Sequence, residues 1–238
     1  RSSDLSLETA FLSRIELMRG PASSLYGSDA LAGVVSLRTF QAEDLLSEVD
    51  GQASMRTRVL ANSANNSLQS SALGAWRLGH FDLLAGVVHR RGGERETQPR
   101  DGGLEANPSD VSGNGLLLKL GLDRGWGGRH ELSAERTSER VDSDLRSFVA
   151  GPAQYASTTQ MLGDDSLLRQ RWSLQSSFPL SLSGLDSLRV SLWQAEARSE
   201  QRTLQTRRAA PPRTPHSLRD RLFLYKDRSV GLSMRGEG

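Results

Sequence analysis

Leu116, Leu118, Leu120 and Leu122 stand at every second position of one short segment, with Gly115, Lys119 and Gly121 among the residues of opposite parity. A period of two is that of a pleated strand, and it puts the four leucines on one face. The same alternation recurs from residue 51 onward. It predicts strands over 51–60, 67–78, 81–90, about 116–122, 130–137, 166–177, 185–197 and 221–235. In the third, Phe81, Leu83, Ala85 and Val87 share a side; in the sixth, Trp172 and Leu174 oppose Arg169, Arg171, Ser173 and Gln175. Connectors alternate in length: 79–80, 123–129 and 178–184 are short, whereas 91–111, 138–165 and 200–218 are long and polar. Short turns at one end and long loops at the other are the habit of strands that cross a membrane as a barrel. Each strand alone reads equally well as a half-buried antiparallel strand. Trp76, Phe81 and Phe178 flank the short turns, where interfacial aromatics belong. In the last strand Lys226 and Arg228 share the parity of Val230, which places them either above the bilayer or before a bulge.

Composition excludes more than it assigns. The 238 residues carry 30 Lys+Arg against 28 Asp+Glu, a balance unlike that of a nucleic-acid binder. With no cysteine there is neither a disulfide framework nor a thiolate metal site. The sequence holds no run of the roughly 20 apolar residues a spanning helix needs, which leaves a barrel open because a barrel strand needs only about ten. Gly-x-Ser-x-Gly, a phosphate-binding Gly-Lys-Ser/Thr loop and His-Glu-x-x-His are absent, and the four histidines are too dispersed for a metal cluster. The reading is of a non-enzyme without a resident metal or covalently bound cofactor.

Ahead of the strands lies a unit of another kind. Arg14-Ile15-Glu16-Leu17-Met18 alternates as a strand, Gly20-Pro21 stops it, Ser23 or Ser24 caps a short helical turn closed by Gly27, and Val34 to Arg38 forms a second strand. This unit resembles the end of the plug domain of a TonB-dependent outer-membrane receptor. The resemblance rests on Arg14-Ile15-Glu16-Leu17, Arg19-Gly20-Pro21, Leu25-Tyr26-Gly27 and Ala32-Gly33-Val34-Val35, with Ala32 where the family usually has glycine. Past the plug the chain is similar to the haem and haemoglobin receptors of that family, through 42–46, 62–67, 81–86 and 90–93.

The resemblance implies a mainly β fold. Residues 1–46 would be the C-terminal part of a mixed α/β plug, with 41–46 a polar connector. Residues 47–238 would be the N-terminal part of an antiparallel transmembrane β-barrel, about the first eight of 22 strands. The chain, starting at Arg1 without a leader, is expected to be a fragment that does not transport alone. It implies a place in the cell outer membrane, lipid and the TonB protein as partners, and haem or haemoglobin-bound iron as the imported ligand. A ferric-siderophore, cobalamin or signal-transducing receptor is the alternative. Glu16, Arg19, Gly20, Pro21, Tyr26, Gly27 and Gly33 form the plug motif. Glu16 and Arg19 are expected either to pair with inward wall charges such as Arg56, Arg58, Glu131 or Glu135, or to satisfy local groups. Of the histidines, His80 and His130 fall at short turns and His89 faces lipid. His216, in a long loop with Arg207, Arg208 and Arg213, and secondarily Tyr155, are the candidates to meet haem.

Overall fold

The computed structural model describes residues 8–19, 33–49, 51–94, 107–124, 127–149, 155–182, 184–209 and 216–237. Two sheets emerge. In the smaller, β1 (Leu12–Arg19) and β2 (Gly33–Thr39) pair antiparallel, with Ile15 opposite Leu37 and Leu17 opposite Val35. A one-turn helix, α1 (Ala42–Leu46), follows.

The larger sheet has eight antiparallel strands in simple sequence order: β3 (Ala53–Asn62), β4 (Ser67–Leu78), β5 (Phe81–Gly93), β6 (Ser109–Asp123), β7 (Arg129–Asp144), β8 (Thr158–Leu182), β9 (Leu185–Arg207) and β10 (Ser217–Glu237). It is an open sheet with β3 and β10 at its edges. Among the described residues no helix is long and apolar enough to cross a membrane.

Register turns the alternation into a surface. One hydrogen-bonded row runs Trp76, Leu83, Leu120, Leu132, Leu174, Leu192, Leu232, one residue from each of seven successive strands. All seven are large and apolar; six are exposed and Leu83 is half-buried, because this side has no protein cover. The opposite parity carries Arg56, Lys119, Glu131, Glu135, Arg169 and Arg171. An oily outside and a wet inside define a transmembrane barrel wall.

Two sequence expectations need correction. Residues 41–46 are not a polar connector. Ala42, Leu45 and Leu46 are buried, the i, i+3, i+4 spacing of one helix face, and the Asp44 carboxylate accepts the Gln41 N–H at 2.8 Å to start the turn. The long connectors are also shorter than expected, because β8, β9 and β10 run to 25, 23 and 21 residues. A tilted strand needs only about 9–11 residues to span lipid. The surplus rises above it, where both faces are wet and the alternation that marks a strand fades. The β9–β10 register runs unbroken from Ser187 to Arg207, so no bulge precedes Val230, and Lys226 and Arg228 lie beyond the oily band.

Candidate functional site

The inner wall is not wet throughout. On β4, β5 and β6 its inward positions are Leu73, Ala75, Leu84, Val88 and Leu117, all buried. Onto them pack Ala42, Leu45 and Leu46 of α1 together with Ala10 and Phe11 from the turn before β1, with Phe40 at the margin. Phe11 is 0% exposed. Its ring lies over two inward glycines: a Cβ on Gly86 would stand 3.0 Å from Phe11 Cε1, and one on Gly115 would stand 3.1 Å from Cε2. The glycines therefore form the socket. Both ends of the β1–β2 hairpin, at Phe11 and at Phe40, are tied together by the Phe40 N–H donating to Phe11 O at 2.9 Å.

A charged collar surrounds this contact. Arg129 of the wall donates to Asp82 Oδ2 at 2.8 Å and reaches Glu43 of α1 at 3.2 Å. Gly121, opposite Asp82 in register, leaves the space that the Asp82 carboxylate fills. Lys119 lies 3.8 Å from Glu131, and the Gln41 amide, oriented to satisfy both, accepts from Lys119 Nζ at 3.1 Å and donates to Glu131. Glu48, just past α1, receives two hydrogen bonds from Arg56 Nη2 at 2.6 and 2.8 Å, while the same guanidinium stacks 5.0 Å above the Phe40 ring.

Arg56 and Glu131 thus do meet groups of the N-terminal unit, but those groups are Phe40 and Gln41, and the ion pair of Arg56 is with Glu48 just past that unit. Glu16 lies on the exposed part of β1 and pairs with Arg14 at 2.8 Å. Arg19 ends β1 opposite Gly33. Gly20, Pro21, Tyr26 and Gly27 lie outside the described residues. Sequence reading passed over Phe11, Gln41, Glu43 and Glu48; the signal for three of them was the helical spacing of Ala42, Leu45 and Leu46.

At the far end of the wall, register brings the outer candidates to one rim. Arg207 on β9 is flanked by its register partners Thr158 on β8 and Ser217 on β10. Tyr155 stands three residues before Thr158 and His216 one before Ser217, so both occupy the tip of the same three strands. Tyr155 packs on Phe148 with ring centroids 4.8 Å apart, and Arg207 Nε donates to Ser157 Oγ at 3.1 Å. His216 is exposed. His130 sits at the opposite end, edge-on to Phe178 at 5.4 Å, and His89 faces outward with Nδ1 2.8 Å from Asn114 Oδ1. Among the described residues no group of three or more His, Asp or Glu is arranged to hold a metal ion.

An oily-outside, wet-inside antiparallel wall with a separate unit packed on its inner face is part of a plugged membrane barrel. Residues 1–34 match the family model of the TonB-dependent receptor plug domain. Through that segment the chain is similar to the TonB-dependent receptors. Over 82 residues, 34% of this chain, it is 43% identical to a hemin receptor of Yersinia pestis and covers 12% of that protein. It is 43% identical over 60 residues, 25% of the chain, to heme/hemopexin utilization protein C of Haemophilus influenzae, covering 8% of it. The chain therefore spans about an eighth or less of the length of these relatives. The FrpB iron transporter of Neisseria meningitidis shares the fold, with a TM-score of 0.62 at 15% identity over 94% of this chain and 38% of that structure.

Proposed function

We propose that this chain forms the plug exit and first wall strands, residues 1–46 and 47–238, of an outer-membrane receptor. That receptor imports haem or haem-bound iron, energised through TonB. The observation that carries the ligand class is the 43% identity to a hemin receptor over 82 residues. The geometry agrees with it: Tyr155, Arg207 and His216 share one rim at the outer end of the wet face, where an arriving anionic porphyrin would first be met. A histidine or tyrosine at such a rim offers iron a ligand, and an arginine offers the propionates a partner. Glu16, Arg19, Gly20, Pro21, Tyr26, Gly27 and Gly33 belong to the part that must yield when TonB pulls. Transport, not catalysis, is the activity.

Growth of a receptor deletion strain on haem as sole iron source tests the reading. Restoration by the intact receptor gene, and loss of that growth without TonB, is the expected result. Growth restored on a ferric siderophore but not on haem would overturn it. Charge reversal at Glu16 that left uptake unchanged would remove Glu16 from the coupling role.

A further inference from the structure

Aromatic side chains on the large sheet divide unevenly between its two faces. Trp76, Phe81, Trp172 and Phe178 have the parity of the oily side, where such rings belong. Three others, Trp193, Phe223 and Tyr225, have the inward parity, and all three stand on one seam, between β9 and β10. The register sets Phe223 opposite Gln201, Tyr225 opposite Ser199 and Trp193 opposite Gly231. They descend in that order from the rim at Arg207 and Ser217. Gly231 lies 14 positions along β10 from Ser217. At about 3.3 Å per residue that is roughly 46 Å inside the rim. A flat apolar ring turned toward a wet lumen gains little from water and offers a surface to a flat partner.

At the foot of this line the wall is shaped around one ring. A Cβ on Gly231 would stand 2.3 Å from Trp193 Cε2, so the indole lies across the bare glycine and a side chain there would displace it. From β8 the Arg171 guanidinium stacks on the same indole, 5.6 Å from the ring centroid. Arg171 faces Glu135 directly in register, yet among the described residues it forms no ion pair. Stacking occupies the face of a guanidinium and leaves its in-plane N–H fork free to meet a carboxylate. The neighbours of the pair are small: Ser173 is the register partner of Trp193 on β8, and Ala195 and Ser229 continue the row of Arg171. Above them opens a recess of about 200 Å³, bounded by Arg169 and Arg171 of β8 and by Asp227 and Ser229 of β10. The indole is half-buried and Arg171 is exposed.

We infer that Trp193 and Arg171 form a lumen-side station for the incoming porphyrin, reached after the ligand has left the rim and passed Phe223 and Tyr225. The indole stacks on the conjugated macrocycle, and the Arg171 fork takes a propionate. The inference rests on the haem-import reading above and adds to it a second contact, deep inside the wall. A ring stacked on a conjugated plane and a guanidinium–carboxylate pair each contribute modestly, and together they raise occupancy roughly tenfold. Being so far from the rim, the station serves passage and not capture.

The test uses the intact receptor in a deletion strain and separates capture from import: haem bound at the cell surface is measured without TonB, haem taken up is measured with it. Trp193→Ala and Trp193→Leu should each capture haem within about twofold of wild type yet import it roughly tenfold more slowly, and Trp193→Phe should import near the wild-type rate. Leucine fills space without offering a flat face, so recovery by leucine as well as by phenylalanine would reduce Trp193 to packing and overturn the station. A benzophenone side chain at Ser173 should cross-link to haem during uptake, and one at its outward neighbour Leu174 should not. That measurement decides alone should the Trp193 variants fail to insert. Unchanged import by Trp193→Ala, or no cross-link at Ser173, in a receptor that captures haem would overturn the station only. A wild-type receptor that neither captures nor imports haem would overturn the import reading and the station with it.

Discussion

Glu43 of α1 and Arg129 of β7 lie 3.2 Å apart, and the same guanidinium holds Asp82 of β5 at 2.8 Å. The two carboxylates differ in how much they depend on it. The Asp82 side chain is 8% exposed, that of Glu43 is 57% exposed. Removing Arg129 strands a buried charge, whereas removing Glu43 forfeits only a solvent-screened contact. Arg129→Ala should therefore destabilise the intact receptor by about 2–4 kcal/mol, and Glu43→Ala by under about 1 kcal/mol. Urea unfolding in detergent checks this. If Asp82→Asn failed to recover part of the Arg129→Ala loss, the stranded-charge account would be wrong.

The Phe11 socket predicts a second asymmetry. Truncating a fully buried phenylalanine costs about 3–5 kcal/mol through lost transfer and an unfilled cavity. Phe11→Ala should loosen the N-terminal unit from the wall, read as faster labelling of a cysteine introduced at Leu45. Gly115→Val should do the same from the other side, since even a Cβ there would press on Val88 and Phe11. The outward neighbour Leu116→Val changes nothing in the socket and should leave labelling unaltered.

Much of the wall was legible because its two chemistries alternate. The bounds of β4 matched at both ends, since Asn66 at φ 46° and Gly79 at φ 61° punctuate the chain where side chains with Cβ atoms rarely go. The oily patch inside the wall was not foreseen, although its mark is in the sequence. Leu116-Leu117-Leu118, Leu83-Leu84-Ala85 and Val87-Val88 are apolar on consecutive positions, the signature of strands covered on both faces. What sequence could not supply was that Gly86 and Gly115, 29 positions apart, would lie together under one ring. Their adjacency depends on register between β5 and β6. Likewise Tyr155 and His216 became neighbours of one rim only once Thr158, Arg207 and Ser217 were paired.

The loop joining β5 to β6 carries a pH-sensitive clip. Glu94 Oε2 accepts the Ser109 N–H at 3.1 Å, and this backbone hydrogen bond is the main cause holding the Glu94 carboxyl below its ordinary value. A depressed carboxyl stabilises above its unfolded-state pKa and loses that contribution as pH falls through the lower folded-state value. The Ser109 amide should therefore stay protected from hydrogen exchange at neutral pH and lose protection only in acid, below the usual glutamate range. Glu94→Gln should flatten that pH dependence. Protection that was unchanged on acidification in wild type would dissociate the clip from the carboxylate.

Parity along β7 and β9 offers the most direct check on which face meets lipid. Leu132 belongs to the outward leucine ladder, and Ser191 is inward, between Gln175 and Ser233. An arginine facing lipid near the bilayer midplane costs about 2–4 kcal/mol, whereas one facing a wet interior has water and polar neighbours to solvate it. Leu132→Arg should accordingly lower folding stability in phospholipid vesicles by about 2–4 kcal/mol, and Ser191→Arg by under about 1 kcal/mol. A soluble sheet with the leucines turned into a core would be damaged by Leu132→Arg in aqueous solution as well. In detergent micelles, whose mobile chains let the guanidinium reach water, the barrel wall should recover part of the loss. An equal penalty for both substitutions in vesicles would show that the two faces are not divided between lipid and lumen.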